Sequence, residues 1–360
     1  MFNNFYKNKK VLITGHTGFK GSWIAKWLDL LGAKVIGYSL YEHKKPNHFN
    51  SINIKKKIIS IKGDIKDYDL LKKTINKHKP EIIFHLAAQP IVSESYSNPK
   101  NTFDTNLTGM TNLMNILKDS VTVKSAVLIT SDKAYKNDGR SFEYNENDIL
   151  FGSDPYSASK SCAEIIASSY FKSFFTKSHC KIGIARAGNV IGGGDWAENR
   201  IVPDLMRHWI KKKKAIIRNP RSTRPWQHVL EPLSGYLLLG KLLYEKNIIN
   251  GEAFNFGPKK NNDILVKYLV KKFQEEWTNS KIQIKKTKNK YKEEKLLNLC
   301  IKKSYRLLSW QPVLNINELV EFTVNWYQNW AKKVDCNKIT EKKILDYYNL
   351  AIKRKNFWIR

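Results

Sequence analysis

The feature that most constrains this chain is an alternation of short apolar segments with helical patterns through its first half. Six segments are typical of buried strands, since each is short, mostly apolar and rich in β-branched residues. They are KVLITG (10–15), AKVIGYSL (33–40), IISIKGDI (58–65), EIIFHLAA (81–88), SAVLITS (125–131) and KIGIARAGNVIG (181–192). Helical patterns lie between them. Such repeated βαβ units predict a Rossmann-type, doubly wound parallel sheet with helices on both faces.

This alternation ends near residue 188. Gly, Pro, Trp and Arg cluster between residues 192 and 232, and helical patterns follow. We therefore expect residues 1–188 to form a dinucleotide-binding domain. Residues 189–360 would form a smaller, mixed α/β substrate-binding lobe, with the chain crossing back between the two.

The composition restricts the possible partners. The 360 residues carry a formal net charge of +31, which raises the possibility of nucleic-acid binding. The excess is mostly lysine spread along the chain, without an arginine-rich tract or zinc-finger spacing, so a general preference for anionic ligands is the better interpretation. The four cysteines form no CxxC pair, and neither a secretory leader nor a bilayer-spanning apolar segment is visible. We expect a cytoplasmic protein that binds neither nucleic acid, membrane nor metal.

The turn after the first predicted strand contains Gly15, Gly18 and Gly21 in the sequence TGHTGFKG. Glycines at this place allow a tight turn and let a pyrophosphate approach the N–H groups at the start of the following helix. This pattern predicts a dinucleotide cofactor. The second strand ends in GYSL without an arginine, so NAD is preferred and NADP is the alternative. Asp64 is a candidate ligand of the adenine amino group, or a turn residue that begins the next helix.

The segment DPYSASKSCAE (154–164) places Tyr156 and Lys160 one helical turn apart. A phenol with a pKa of about 10 is a poor base at neutral pH. A nearby ammonium lowers that pKa by favouring the phenolate, and the same ammonium can bind a nicotinamide ribose. Since this pair follows the glycine loop, it is a candidate catalytic base with its partner.

Together, the loop and the pair resemble the signature of the extended short-chain dehydrogenase/reductase superfamily. Further segments are similar to those of its nucleotide-sugar 4,6-dehydratases, namely GHTGFKGSW (15–23), HLAAQP (85–90), TSDKAY (130–135), RAGNVIGGGDW (186–196), RPWQHV (224–229) and NFGP (255–258). The resemblance implies cofactor contacts by Gly15, Thr17, Gly18, Phe19, Gly21, Asp64, Ile65, Leu86, Ala87, Ala88, Asn106, Tyr156 and Lys160. It implies substrate contacts by Gln89, Asn189, Arg224 and Trp226, although core packing is an equal alternative for the tryptophan.

The resemblance also implies a reaction on a nucleoside-diphosphate glucose, with CDP-glucose the favoured form. The phenolate takes the proton of the sugar 4-hydroxyl, the C4 hydride passes to NAD, water is lost across C5 and C6, and the hydride returns to C6. The product is a 4-keto-6-deoxy sugar, of use in surface polysaccharide. A homodimer or a dimer of dimers, packed through helices near 99–118 and 156–173, is implied as well.

The end of the fifth predicted strand would supply the remaining chemistry, through Ser131, Asp132 and Lys133. Ser131 would bind the sugar hydroxyl or the tyrosine, and Asp132 would be the acid at C6. Lys133 can remove the C5 proton only when its amine is neutral. Alternatively, a charged Lys133 stabilises the developing enolate, or it is an exposed loop residue.

Other functions remain open from the sequence. A sugar 4-epimerase or reductase needs the tyrosine and lysine but has no use for an acid and a base that expel water. A 4,6-dehydratase for another nucleoside-diphosphate hexose fits the same residues, since the nucleotide base follows from the resemblance alone. A nucleic-acid-binding protein gives the glycine loop no role.

Overall fold

The structure is a computed structural model, and it describes residues 1–40, 45–140, 142–246, 248–258, 263–285, 296–356 and 358. In chain order the strands are β1 (Lys10–Thr14), β2 (Lys34–Ser39), β3 (Ile59–Lys62), β4 (Ile82–His85), β5 (Ser125–Ile129), β6 (Lys181–Ala187), β7 (Val190–Ile191), β8 (Ala215–Ile217), β9 (Thr223–Pro225), β10 (Gln227–His228), β11 (Ala253–Phe256), β12 (Asp263–Leu265) and β13 (Ile282–Ile284).

The helices are α1 (Phe19–Leu30), α2 (His48–Ser51), α3 (Tyr68–His78), α4 (Val92–Ser97), α5 (Pro99–Phe103), α6 (Gly109–Asp119), α7 (Pro155–Tyr170), α8 (Ile201–Ile210), α9 (Leu230–Glu245), α10 (Val266–Glu276), α11 (Lys302–Leu308), α12 (Ile316–Ala331) and α13 (Cys336–Lys353). A π-helical turn, Asp104–Thr108, joins α5 to α6.

The central sheet is parallel and has the strand order β11-β6-β5-β4-β1-β2-β3. The six strands predicted from the sequence are all present, and the predicted Rossmann-type fold is confirmed. The seventh strand, β11, was not predicted, because its sequence AFNF contains no β-branched residue. It brings the second half of the chain back into the sheet beside β6. The division of the chain at residue 188 stays a prediction.

The two faces of the sheet are covered by different helices. Along β1, Val11 and Ile13 belong to one apolar core and Leu12 to the other, as the alternation of side chains in a strand requires. The first core is shared with α1, α9 and the C-terminal helices, and the second with α3, α6 and α7. Short strand pairs, β7 with β10, β8 with β13 and β9 with β12, lie in the second half of the chain.

Local capping explains where α7 begins. Asp154 precedes α7, and its carboxylate accepts hydrogen bonds from the backbone N–H groups of Tyr156 and Ser157 at 3.0 and 3.1 Å. Pro155 occupies the first helical position, where no N–H donor is required. The start of α7 is therefore fixed within one residue of the tyrosine.

Two further findings concern the described residues as a set. None of the helices among them is long and apolar enough to cross a membrane. In the same residues, no group of three or more His, Cys, Asp or Glu side chains is arranged to hold a metal ion.

Gly21→Ala is expected to lower the free energy of unfolding by about 1–3 kcal/mol, as overpacking does. An added Cβ would lie 2.0 Å from the carbonyl oxygen of Gly15, a backbone atom that cannot move away without opening the loop. Gly257→Ala is the comparison, since its nearest neighbour would be the Leu299 Cβ at 3.2 Å. Urea denaturation measures both, and equal losses in the two variants would contradict this account of the loop.

Candidate active site

A cleft of about 1180 Å³ opens at the carboxyl ends of the parallel strands. Its wall includes residues that directly follow β1, β3, β4, β5 and β6. In open α/β sheets, ligands bind where the strand order reverses, and here that point lies between β1 and β4. The opposite wall comes from residues 189–226 of the second half. The fold therefore brings residues predicted to bind the cofactor and residues predicted to bind the substrate to the same cleft.

The start of α1 forms one end of this cleft. Gly18 precedes the helix and provides no side-chain cap, and the first turn contains no acidic residue. The N–H groups of this turn are consequently available to an anion, and the positive end of the helix dipole favours one. Gly15, Gly18 and Gly21 line the cleft together with Phe19, Ile65, Leu86, Ala87 and Ala88. These residues fit the pyrophosphate and adenosine of a dinucleotide.

Asp64 lines the same part of the cleft. One carboxylate oxygen accepts a hydrogen bond from the Lys66 backbone N–H at 2.9 Å, and the other lies 3.5 Å from the Lys66 amine. Asp64 thus stabilises the turn after β3, but it does not begin α3, since that helix is capped by Asp67. The contact of Asp64 with the adenine amino group stays a prediction. Its carboxylate also remains about one-third exposed on the cleft side of the turn.

Three residues predicted to contact ligands lie behind the wall. The Thr17 hydroxyl is hydrogen-bonded to Ser39 at 2.8 Å. The Asn106 side chain accepts from the Gln89 backbone N–H at 2.8 Å and donates to Ser159 at 2.8 Å. The Gln89 amide donates to Thr102 at 2.8 Å and to the Ile91 carbonyl at 3.1 Å. The expectation that Gln89 binds substrate therefore differs from the structure, since its amide is occupied by internal hydrogen bonds.

Tyr156 and Lys160 lie on the face of α7 that lines the cleft. Burial raises the pKa of Tyr156, while a hydrogen bond from Ser131 and the charge of Lys133 lower it. Burial lowers the pKa of Lys160 to about 8, and the carboxylate of Glu164 opposes that shift. The Lys160 amine is 6.0 Å from the centre of the tyrosine ring. A charged Lys133 therefore favours the phenolate, and the same effect of Lys160 stays a prediction.

Ser131, Asp132 and Lys133 leave β5 in a single 3₁₀ turn. The Ser131 hydroxyl donates to the Asp132 carboxylate at 2.9 Å and accepts from the Lys133 backbone N–H at 3.3 Å. A Cβ on Gly188 would lie 2.8 Å from the carboxylate of Asp132, so this glycine at the end of β6 makes room for the acid. A phenol, a hydroxyl, a carboxyl and an amine therefore meet in one cleft.

A buried ion pair supports this arrangement from behind. Glu164, one turn beyond Lys160 on α7, accepts two hydrogen bonds of 2.9 Å from the guanidinium Nε of Arg186 on β6. The same carboxylate accepts a 2.6 Å hydrogen bond from Thr130, the residue before Ser131. This contact fixes the end of β5 relative to α7 and β6.

The residues expected to bind substrate divide into two groups. Asn189 and Arg224 line the cleft. Trp226 also reaches the wall, but its ring is buried in the core and its N–H donates to the Ile264 carbonyl at 3.3 Å. Of the two alternatives for this tryptophan, the structure therefore has core packing.

Four cations that line the cleft, Lys20, Arg200, Arg218 and Lys285, were missed from the sequence. Arg200 lies at the cleft wall, and its guanidinium is 3.1 Å from the Asp195 carboxylate. Lys20 lies between Gly18 and Gly21 and also faces the cleft. A lysine inside a phosphate-binding loop was the available signal for Lys20, whereas Arg200 follows the GGGDW segment without any recognisable pattern.

Comparison with known proteins agrees with this architecture. A family model described as GDP-mannose 4,6 dehydratase matches residues 12–323. The chain belongs to this family. Among its relatives is the CDP-glucose 4,6-dehydratase of Salmonella typhimurium, which is 41% identical over 349 residues, covering 96% of this chain and 97% of that protein. The resemblance read from the motifs is thereby confirmed.

Solved structures of other proteins have the same fold as this chain. The UDP-glucose 4-epimerase of Thermotoga maritima has a TM-score of 0.77 at 23% identity, covering 89% of this chain and 99% of that one. The dTDP-glucose 4,6-dehydratase of Bacillus anthracis, in complex with NAD, has a TM-score of 0.75 at 22% identity, covering 91% and 99%. Likeness at these identities establishes the fold of the chain.

Glu164→Gln is expected to lower the pKa of Lys160 below about 8, because the carboxylate that favours its ammonium is removed. The ammonium would then be lost at a lower pH than in the wild type. The measurement is the rate at which acetic anhydride labels Lys160 at different pH values, read by mass spectrometry. An unchanged labelling profile would contradict the coupling.

The same variant leaves the Arg186 guanidinium buried beside a neutral partner, so the free energy of unfolding should fall by about 3 kcal/mol. Asp346→Asn is the matched control, since its ion pair with Lys342 is at the surface. This control should lose less than about 1 kcal/mol.

Proposed function

We propose that the chain is a 4,6-dehydratase of a nucleoside-diphosphate glucose, with CDP-glucose as its substrate. The observation that carries this proposal is the meeting of Tyr156 with Asp132 and Lys133 in one cleft. Oxidation at C4 needs only a base and a hydride acceptor, whereas loss of water across C5 and C6 also needs an acid and a second base. An epimerase would have no use for the second pair. The 41% identity to a CDP-glucose 4,6-dehydratase supports cytidine as the base.

The cofactor of this reaction is NAD. When bound, NAD would supply the hydride chemistry of the cycle, first at C4 and then at C6. The uncapped first turn of α1 would hold its pyrophosphate, and Lys160 its nicotinamide ribose. The described wall near the adenine ribose contains Ser39, Leu40 and Asp64 and no arginine for a 2′-phosphate, which favours NAD over NADP. Residues 41–44 lie outside the described residues.

Tyr156, as the phenolate, takes the proton of the 4-hydroxyl, and Ser131 is hydrogen-bonded to the tyrosine. The resulting 4-ketone makes the C5 proton acidic. The neutral amine of Lys133 removes that proton, and Asp132 in its acid form protonates the departing 6-hydroxyl. With Lys133 charged instead, its role is to stabilise the enolate that forms at C4.

The diphosphate lies against the cationic end of the cleft. Arg224 and Arg200 supply guanidinium groups, whose planar geometry suits phosphate oxygens, and Asn189 supplies an amide donor. These residues bind the substrate without taking part in the proton transfers.

The assembly is a homodimer, or a dimer of such dimers. Ile165 on α7 and Phe174 just beyond it are apolar and more than half exposed, and exposed apolar side chains of this kind mark interaction surfaces. This surface agrees with packing through the helices near 99–118 and 156–173. The enzyme would be cytoplasmic and supply a deoxysugar for surface polysaccharide.

Incubation with CDP-, dTDP-, GDP- and UDP-glucose tests the function, with the 4-keto product measured by its absorbance in alkali. We expect turnover of CDP-glucose without net reduction of NAD. Turnover of dTDP- or UDP-glucose without turnover of CDP-glucose would overturn the choice of base, and turnover of none would overturn the reaction.

Two variants separate the half-reactions. Tyr156→Phe should reduce C4 oxidation by about 10²-fold or more, because no phenolate remains to take the proton. Asp132→Asn keeps the shape of the side chain but cannot deliver a proton, so oxidation should persist while water loss fails. Mass spectrometry of quenched reactions distinguishes them, since only Asp132→Asn should accumulate the 4-keto sugar that still carries its 6-hydroxyl. Full turnover in Asp132→Asn would contradict the acid role.

A further inference from the structure

Lys20 is a half-buried cation that the reaction described above leaves without a role. It is the second residue of α1 and lines the cleft together with Asp132, Tyr156 and Lys160. Its amine donates a hydrogen bond of 3.5 Å to the hydroxyl of Tyr236, a fully buried residue of α9. Among the described residues, no carboxylate lies within ion-pair distance of this amine. An ammonium has three N–H donors, so the others can face the cleft.

The ionisation of Lys20 depends on charged groups of the cleft, and the acid Asp132 is one of them. Asp132 is the group that favours its ammonium form, whereas Arg200 and Lys160 oppose it. Burial lowers the pKa of Lys20 to about 8. Tyr236, its hydrogen-bond partner, is itself coupled to Asp132 and Tyr156. Lys20 therefore belongs to the cluster of groups around the acid, although it lies more than a hundred residues away in sequence.

We propose that Lys20 is a further catalytic residue, whose ammonium stabilises the carboxylate that forms when Asp132 gives its proton to the departing 6-hydroxyl. This inference rests on the proposed function and deepens it. Lys20 lines the cleft from the glycine loop, whereas Lys133 follows the acid directly in the 3₁₀ turn.

The proton and electron balance shows where charge forms at this step. Lys133 takes the C5 proton, and the electron pair of that bond forms the C5–C6 double bond. The C6–O bond breaks, and its oxygen takes the proton of Asp132 and leaves as water. Asp132 is left as a carboxylate in a buried site beside Lys133, which now carries the C5 proton, and the ammonium of Lys20 adds a second favourable charge. Lys133 returns its proton to C5 when the hydride returns to C6, and the proton that Tyr156 took from the 4-hydroxyl restores the acid before the next cycle.

A cation beside an acid has two effects that can be measured separately. It stabilises the conjugate base, so it speeds proton donation, and it also makes the acid lose its proton at a lower pH. Described groups near Asp132 include Ser131 and Lys133 on its own turn, Tyr156 on α7 and Tyr236 on α9. Of these, only Lys133 can add positive charge, and it lies on the same turn in every variant proposed below.

The test compares Lys20→Met and Lys20→Gln, which remove the charge, with Lys20→Arg, which retains it. Lys73→Met, on the exposed surface of α3, is the control for loss of one positive charge. Single turnovers of CDP-glucose by the NAD-loaded enzyme are quenched over a range of pH and analysed by mass spectrometry. Circular dichroism and the amount of NAD retained on purification establish that each variant folds and binds its cofactor.

In Lys20→Met and Lys20→Gln we expect the 4-keto sugar that still carries its 6-hydroxyl to accumulate, with elimination slowed by about 10-fold or more. The alkaline limb of the elimination rate should move to higher pH by about one unit, because the acid keeps its proton longer. Lys20→Arg should retain the wild-type elimination rate and the wild-type position of the alkaline limb, and Lys73→Met should match the wild type. A merely structural role of Lys20 cannot move the limb upward.

Two results would overturn the inference. The first is an alkaline limb at its wild-type position in both neutral variants. The second is equal slowing of oxidation and elimination together with loss of bound NAD, which would make Lys20 a cofactor ligand. The wild type serves as the separate test of the proposed function, since its failure to form the 4-keto product overturns that function whatever the variants do.

Discussion

The site depends above all on the buried ion pair between Glu164 and Arg186. It joins α7, which carries the tyrosine and its lysine, to β6, whose end makes room for the acid. Through Thr130 it also holds the end of β5, from which the acid and the second base project. A salt bridge in the interior contributes little net stability by itself. Its value here is geometric. It fixes β5, β6 and α7 relative to one another, so that the groups that exchange protons stay within hydrogen-bond distance.

A second constraint is the number of cations held in a low-dielectric cleft. Lys20 and Lys160 both lie where burial disfavours their charge, and each has its pKa lowered to about 8. Such a cleft attracts a diphosphate and a dinucleotide, whose negative charges restore the balance. The overall charge of +31 is thus a poor guide to the partner. The few cations that face inward select the ligand, while most lysines are distributed over the surface.

What could be predicted from the sequence was local in character. The strands of the sheet are continuous apolar segments, and the spacing of Tyr156 and Lys160 is a property of one helix. The family motifs extended this to the role of Asp132. The sequence did not show which side-chain contacts would form. The Gln89 amide donates to Thr102 and Ile91, and Lys20 meets Tyr236 across a separation of 216 residues. No periodicity in the sequence reports such a contact. For the same reason, the competition between stacking and core packing at Trp226 was decided only by the position of Ile264.

The strand β11 has a consequence for the biosynthesis of this enzyme. Until residues 253–256 have left the ribosome, β6 has no neighbour on its outer side, and its backbone N–H and C=O groups are open to pairing with other chains. α9, which covers the inner strands of the same sheet, is also translated late. The nucleotide-binding half therefore cannot be completed ahead of the other half during translation. A nascent chain would need protection from aggregation through most of its length, and a fragment that ends at residue 188 would be a poor candidate for expression on its own.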